Sequence, residues 1–173
     1  MIEVQITNAM RETAHDMSSE MGILSRSITR GQGNVYGFLG ELVALDVLDG
    51  VHQNTMDYDI IVDGYRIDVK TKKTTVKPKQ DYDCSVADLT RKQNCDYYAF
   101  VRVLSDQSVG WFLGVKKAEQ YFTDASYIKK GDYDNSNGFT ARANCYNMPI
   151  SALDVDLPTS FRHKTVKSAL SAG

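Results

Sequence analysis

The stretch that decides the fold is DIIVDGYRIDVK, residues 59–70. At its centre is Asp63-Gly64, a pair typical of a two-residue hairpin turn in which both positions need φ > 0. With this pair as the loop, residue 62 lies opposite residue 65, 61 opposite 66, 60 opposite 67 and 59 opposite 68. The stretch therefore predicts a short antiparallel hairpin with a defined register.

The two faces of this hairpin differ in polarity, because successive side chains of a strand point to opposite sides. One face carries only apolar side chains: Ile60, Val62, Tyr65, Ile67 and Val69. The other face is charged apart from Ile61: Asp59, Arg66, Asp68, Lys70 and Lys72. A register shifted by one residue would turn the apolar set toward water, so burial of that set fixes the register.

The charged face predicts a site for a divalent cation. Asp59 and Asp68 are expected to lie directly opposite each other, about 5 Å apart at Cβ, where like charges destabilise a sheet. A cation such as Mg²⁺, which prefers carboxylate oxygens, would offset this repulsion. Asp57 has the parity of Asp59 and competes for the ligand role. Lys70 lies one step along the same face, where it either stabilises charge on a reacting phosphate or only pairs with Asp68.

A third acid, Glu41, lies within a predicted helix from Val35 to about Leu48, which Asn34 can cap. Its neighbours three and four residues away are small or apolar: Gly37, Phe38, Ala44 and Leu45. A carboxylate on such a face is costly to bury without a partner. The small residues would also let a strand approach closely. Two interpretations are equally open: Glu41 reaches the same cation as the hairpin acids, or it emerges at the helix edge into water.

The bulk composition bounds the class of protein. A length of 173 residues, with 42% hydrophobic and 24% charged residues, is ordinary for one globular domain. The sequence contains no apolar run of membrane-spanning length and does not begin like a signal peptide. Three cysteines without CxxC spacing favour free thiols in a reducing cytosol. The net charge of −2 does not indicate nucleic-acid binding, although lysines cluster after the hairpin.

The remaining pattern predicts an α/β or α+β domain with a small mixed central sheet flanked by helices. Residues 1–33 form an N-terminal helical segment, with helices between 8 and 30; residues 34–157 form the core; residues 158–173 form a polar tail. Within the core, Ser85 and Asp88 have capping-box spacing that predicts a short helix to about Lys92. Strands are predicted over 97–104, 109–115 and 143–148, with a helical turn over 116–122 and a polar loop over 123–138.

At this point the chain resembles a known family. The motifs are GFLGE at residues 37–41, Tyr58-Asp59, and IDVK at residues 67–70. Together they resemble the E…D…(D/E)xK signature of the PD-(D/E)XK, or restriction-endonuclease-like, nucleases. The likeness covers roughly residues 34–115 and includes the family core of a helix, three strands, a helix and another strand. Tyr58 departs from the pattern, since the family has proline there.

The resemblance implies Mg²⁺-dependent hydrolysis of DNA phosphodiesters, with Mn²⁺ as a substitute ion. By position, Asp59 and Asp68 would be the metal ligands, Glu41 the acid of the first helix, and Lys70 the residue that positions water or stabilises charge. Basic residues would contact DNA phosphates: Lys72, Lys73, Lys77, Lys79, Arg30 and Arg66. An intracellular, cytoplasmic protein is expected, with a phage origin suggested by resemblance and a homodimer left open. Two alternatives remain: a non-catalytic nucleic-acid-binding module on the same fold, and a protein-interaction domain.

Overall fold

The structure is a computed structural model that describes residues 1–21, 34–53, 55–135 and 138–158. The described residues contain three α-helices: α1 (Asn8–Met21), α2 (Asn34–Leu48) and α3 (Ala118–Asp124). They contain eleven strands: β1 (Ile2–Gln5), β2 (Val51–His52), β3 (Ile60–Val62), β4 (Tyr65–Thr74), β5 (Asp83–Ala87), β6 (Tyr97–Leu104), β7 (Val109–Lys117), β8 (Ser126–Ile128), β9 (Tyr133–Asp134), β10 (Phe139–Thr140) and β11 (Cys145–Pro149). Single 3₁₀ turns cover Asp88–Thr90 and Ile150–Ala152.

The central sheet has six strands in the order β1-β7-β6-β4-β3-β2. Strands β4 and β6 run parallel, and every other neighbouring pair in this sheet is antiparallel. A second sheet has the order β5-β11-β8. The mixed α+β architecture with a small mixed central sheet is confirmed at this level. No helix among the described residues has the length and apolar character needed to span a membrane.

The hairpin forms in the predicted register. Strands β3 and β4 pair Ile60 with Ile67, Ile61 with Arg66 and Val62 with Tyr65. The turn residues Asp63 and Gly64 have φ values of 50° and 84°, as the two-residue turn requires. The apolar face of the hairpin belongs to the main core, where Ile60, Val62 and Ile67 are buried.

Both faces of the central sheet are covered, and on one face the cover includes a second sheet, which the sequence pattern did not indicate. On one side, α1 and α2 enclose a core that includes Leu39, Val43 and the apolar hairpin face. On the other side, a second core contains Tyr98, Phe100 and Tyr121 and extends to β5 and β11. The charged hairpin face therefore does not lie against open solvent, and the side chain of Asp68 is only 6% exposed.

Several predicted elements differ from the structure. The helix predicted over 85–92 is wrong: β5 occupies 83–87, and only a 3₁₀ turn follows it. The N-terminal segment begins with a strand, β1, which pairs with β7 before α1 starts. Helix α1 ends at Met21, and the rest of the predicted helical stretch to residue 30 lies outside the described residues. The predicted loop over 123–138 contains β8 and β9. The predicted tail lies outside the described residues beyond position 158.

Helix α2 packs closely against β4 because residue 40 is a glycine. A Cβ atom added at Gly40 would overlap Thr71 Oγ1 and lie 2.8 Å from Thr71 Cβ and Cγ2, whereas a Cβ added at Gly37 on the same helix would meet nothing within 4 Å. The two positions make a matched pair. They share the helix and the substitution but differ in the space available to a methyl group.

Replacing Gly40 by alanine is expected to destabilise the protein by about 1–3 kcal/mol, because the added methyl group must push α2 away from β4. The Gly37→Ala control is expected to stabilise it by about 0.5–1 kcal/mol through helix propensity. Urea unfolding of the two variants measures both effects. Equal effects of the two substitutions would show that close approach at Gly40 does not limit packing.

Candidate functional site

The centre of the site is Asp68 on β4, together with two groups that hold it. Lys70 Nζ lies 2.5 Å from Asp68 Oδ2, and Gln93 Nε2 donates a 3.3 Å hydrogen bond to Asp68 Oδ1. Lys70 Nζ also donates to Gln93 Oε1 at 3.1 Å. Asp68 Oδ2 is buried, and its partner is the Lys70 ammonium. Because a carboxylate oxygen has two lone pairs, one of them can still take a further ligand.

Asp59 reaches the site in a different way from the prediction. The β3–β4 ladder ends at the pair of Ile60 and Ile67, so Asp59 and Asp68 are not a ladder pair. The Asp59 amide instead donates to the Ile67 carbonyl, and Asp59 Oδ2 accepts the Val69 amide hydrogen bond at 2.7 Å. The Asp59 carboxylate thus takes the place of a backbone acceptor at the end of the hairpin.

Glu41 has a partner that sequence spacing did not reveal. Its Oε2 lies 2.7 Å from Nε2 of His52, which belongs to the short strand β2. A hydrogen bond at this distance needs one proton between the two atoms, carried by either the carboxyl or the imidazole group. The Glu41 side chain is 12% exposed. The interpretation that Glu41 simply emerges into water is therefore wrong.

The three predicted acids share one electrostatic environment. Burial raises the pKa of Glu41 to about 7, and the charge of Asp68 contributes to this rise. Burial also raises the pKa of Asp59 well above its ordinary value, assisted by the charges of Asp68 and Glu41 and opposed by the Val69 amide and Lys70. The pKa of Asp68 is raised by burial and by Asp57, while Lys70 and Gln93 oppose the rise. The charge of Asp68 thus disfavours the charged forms of Glu41 and Asp59, as expected where carboxylates lie close together.

The described residues contain no group of three or more His, Cys, Asp or Glu side chains that converges as a metal site. The donor set nevertheless suits one kind of ion. Asp59 and Asp68 offer buried carboxylate oxygens, of which Asp68 Oδ2 also contacts the Lys70 ammonium and Asp59 Oδ2 accepts from the Val69 amide. Mg²⁺ commonly binds through one or two carboxylates and completes its shell with water and substrate phosphates. The residues present therefore fit Mg²⁺ held by two protein ligands, and they do not fit a closed, all-protein cage.

The predicted phosphate-binding residues are not equally placed. Lys73, Lys77 and Lys79 are exposed, with Lys73 above the Tyr36 ring and Lys77 Nζ 3.7 Å from a Glu3 carboxylate oxygen. Arg66 forms a bidentate pair with Asp96, through Nε at 3.1 Å and a terminal nitrogen at 2.9 Å.

Lys72 differs from the exposed lysines, because it is partly buried and donates to Ser85 Oγ at 2.8 Å. Arg30 lies outside the described residues.

Two residues that contact the acids, Gln93 and His52, were not predicted from the sequence. Gln93 bridges Asp68, Lys70 and the carbonyl oxygen of Met56, which it reaches at 3.0 Å. The second is His52, which contacts Glu41. Each contacts an acid that lies at least eleven positions away in the sequence, so no local pattern predicts the contact.

The free energy of unfolding of the metal-free protein is expected to fall as the pH rises from about 5 to about 8. The folded state holds the Glu41 proton more tightly than the unfolded state. The resulting stabilisation is complete below pH 4.5, the ordinary pKa, and is lost as the pH rises through about 7. A shift of this size corresponds to about 3 kcal/mol. Urea unfolding at several pH values measures the fall.

The Glu41→Gln variant should show a smaller fall than the native chain over this pH range, because glutamine does not titrate. The matched control is Glu12→Gln, since Glu12 is an exposed residue of α1. If Glu41→Gln kept the full pH dependence, Glu41 would not be the group that titrates.

Comparison with known proteins adds no relative: no family model matches the sequence, and no curated protein matches it.

Proposed function

We propose that the chain is a Mg²⁺-dependent DNA endonuclease that hydrolyses phosphodiester bonds at the Glu41, Asp59, Asp68 and Lys70 site. One observation carries the proposal. Three acids from α2 and from the two sides of one hairpin have pKa values that burial raises, and the charge of Asp68 raises those of Glu41 and Asp59 further. Lys70 Nζ lies 2.5 Å from Asp68 Oδ2. Buried acids whose pKa values are shifted by burial and by neighbouring charges are typical of active sites.

The order of elements supports the proposal in part. Helix α2 is followed by β2, β3 and β4, and then by β6, in agreement with a core of one helix, three strands and a further strand. The second helix expected in the family core is absent between β4 and β6 among the described residues, where β5 and a 3₁₀ turn lie instead. The proposal therefore depends on the site more than on the fold.

Each residue has a role that follows from its contacts. Asp59 and Asp68 would hold Mg²⁺, which lowers the pKa of a bound water and polarises a phosphoryl oxygen. Lys70 limits the rise of the Asp68 pKa, so it keeps the carboxylate available, and its ammonium can stabilise negative charge on a nearby phosphate. Gln93 orients both Lys70 and Asp68. The Glu41–His52 pair holds one proton at the edge of the site.

A second candidate is a nucleic-acid-binding module without catalysis. It is favoured by the way each acid is already engaged: Glu41 by His52, Asp59 by the Val69 amide, and Asp68 by Lys70. Under this proposal the acids would shape the domain, and the exposed Lys73, Lys77 and Lys79 would contact phosphates.

A cleavage assay on several DNA forms distinguishes the two candidates. Supercoiled, linear, nicked and single-stranded DNA are incubated with the full chain in Mg²⁺, in Mn²⁺ and in EDTA, and binding is measured in parallel in EDTA. We expect cleavage of at least one form with either metal and none in EDTA. Binding without cleavage of any form would support the binding module, and the absence of both would contradict both candidates.

A further inference from the structure

A pair of cations lies side by side at a distance from the acids along the central sheet. Lys72 of β4 and Arg102 of β6 are register partners in the parallel pair, so their side chains leave the sheet on the same face. That face is covered by β5, whose Asp83 carbonyl accepts from Lys72 Nζ at 3.4 Å and from an Arg102 terminal nitrogen at 2.9 Å. Like charges next to each other in a sheet are destabilising unless something offsets them.

The described residues do not supply a full counter-charge. Among them, neither Lys72 nor Arg102 has a carboxylate oxygen within ion-pair distance. The neutral partners are a carbonyl and the Ser85 hydroxyl, which itself donates to Asn147 Oδ1 at 2.7 Å. Burial lowers the pKa of both cations, and the charge of Arg102 lowers that of Lys72 further, while the charge of Asp83 opposes both falls in part.

One hydrogen-bond donor of this cation pair is also unused. Arg102 Nε is buried and has no hydrogen-bond partner among the described residues. An unused buried donor on a charged group is costly, and it normally finds a protein, water or ligand acceptor. The guanidinium is held above the Tyr82 ring, with its central carbon 5.2 Å from the ring centroid, so it is already oriented.

A cavity lies beside these donors. Its lining includes Lys72, Arg102, Ser85 and Asp83 and the apolar side chains of Phe100 and Leu113, and it offers about 20 Å³ to the centre of a water-sized group. That space holds one oxygen-sized atom. The apolar walls strengthen electrostatic attraction inside it. Lys70 lines the same cavity, which therefore adjoins the proposed active site.

We propose that Lys72 and Arg102 form an anion site that receives one oxygen of a phosphate group, with Ser85 as a third polar contact. The remaining phosphate oxygens would stay outside the cavity, because the cavity admits only one. The phosphate belongs either to a nucleic-acid strand or to free inorganic phosphate, and both present the same oxygen chemistry. The site does not depend on the proposed hydrolysis, since it uses none of the three acids.

The test measures thermal unfolding of the full chain in EDTA with increasing inorganic phosphate, against chloride at matched ionic strength. A ligand that binds only the folded state raises the unfolding temperature, so we expect a larger rise with phosphate than with chloride. In the Lys72→Met variant, phosphate should bind at least tenfold more weakly. Without phosphate this variant should be at least as stable as the native chain, because it loses one of two adjacent like charges.

Two further variants make the result specific. Arg102→Lys keeps the charge and the fold but removes the unused Nε donor, so its phosphate response should also fall at least tenfold. Lys117→Met is the control, because Lys117 is an exposed lysine at the end of β7 and belongs to no proposed site; its phosphate response should equal that of the native chain. A native response no larger than that in chloride would mean that the cavity holds water only and would overturn the proposal, as would an unchanged response in Lys72→Met and Arg102→Lys.

Competition in EDTA identifies the source of the phosphate. A single-stranded DNA oligonucleotide is titrated into the native chain with and without inorganic phosphate. If phosphate displaces the oligonucleotide and Lys72→Met weakens the binding of both, the site receives a nucleic-acid phosphate. If Lys72→Met weakens only phosphate binding, the site receives the free anion. Both results support the site, and neither requires cleavage, so failure of the proposed nuclease function would be seen separately.

Discussion

Replacing Asp68 by asparagine is expected to lower Mg²⁺-dependent DNA cleavage by roughly 10³-fold or more, the size of effect seen when a central catalytic group is removed. Asparagine has nearly the same shape, and its side-chain oxygen can still accept the hydrogen bond that Gln93 donates to Asp68 Oδ1. The variant loses the negative charge that a cation would require. DNA affinity measured in EDTA should change little, because Asp68 is buried and does not repel the DNA backbone at the surface.

The matched control for this variant is Asp63→Asn. Asp63 carries the same substitution on the same hairpin, but it is exposed at the turn, and asparagine tolerates its positive φ of 50°. The control should cleave DNA as the native chain does. Mg²⁺ should raise the unfolding temperature of the control and of the native chain, but not of Asp68→Asn. A folded Asp68→Asn protein that cleaves at the native rate would show that the site has been assigned to the wrong residues.

The hairpin was predictable because its local and long-range requirements agree. The Asp63-Gly64 turn sets one register by backbone conformation alone, and burial of Ile60, Val62 and Ile67 requires the same register. Helix α2 was predictable for a similar reason, since its apolar residues suit an element packed on several sides. The close approach of a strand to its small residues is seen at Gly40 and Thr71.

The helix predicted over 85–92 is wrong because two local patterns compete in this stretch. Residues 85–88 have capping-box spacing, but residues 83–87 also alternate in polarity, and Cys84 and Val86 are both buried in the second core. The stretch forms a strand because pairing with β11 satisfies the backbone hydrogen bonds and buries the side chains of Cys84 and Val86. The partner strand β11 is distant in sequence, so the capping signal could not be rejected from the sequence alone.

The sequence indicates which charged residues lie near one another in the candidate site, but it does not indicate their contacts. The three acids and Lys70 lie close together, since the charge of Asp68 raises the pKa of Asp59 and Glu41 and Lys70 contacts Asp68. Their roles in metal binding and catalysis remain predictions. The prediction of direct Asp59–Asp68 pairing failed because a carboxylate can replace a backbone acceptor. Asp59 Oδ2 accepts a hydrogen bond from the Val69 amide, and the pairing of β3 with β4 ends at Ile60. The His52 and Gln93 contacts depend on tertiary packing and leave no periodic signal.

Replacing Lys70 by methionine is expected to lower cleavage by roughly 10²–10³-fold, comparable to the loss of one charge-stabilising donor, and to destabilise the protein in a pH-dependent way. Lys70 lowers the pKa of Asp68 and of Asp59, so its removal raises both further. An unpaired buried carboxylate costs about 3 kcal/mol or more. Because the pKa of Asp68 is already raised in the native chain and rises further in the variant, this cost decreases as the pH falls. The sign follows from linkage: a raised pKa in the folded state stabilises at low pH and loses that stabilisation as the pH rises.

Urea unfolding at pH 5 and pH 8 measures this difference, and two variants control it. Lys73→Met removes the exposed lysine three positions along β4, so it should be nearly neutral at both pH values. The double variant Asp68→Asn with Lys70→Met removes both charges of the pair, so it should recover most of the stability at pH 8 without recovering cleavage. A Lys70→Met protein with the same loss of stability at both pH values would show that the lysine contributes packing rather than charge. Full cleavage by that protein would remove Lys70 from the proposed active site.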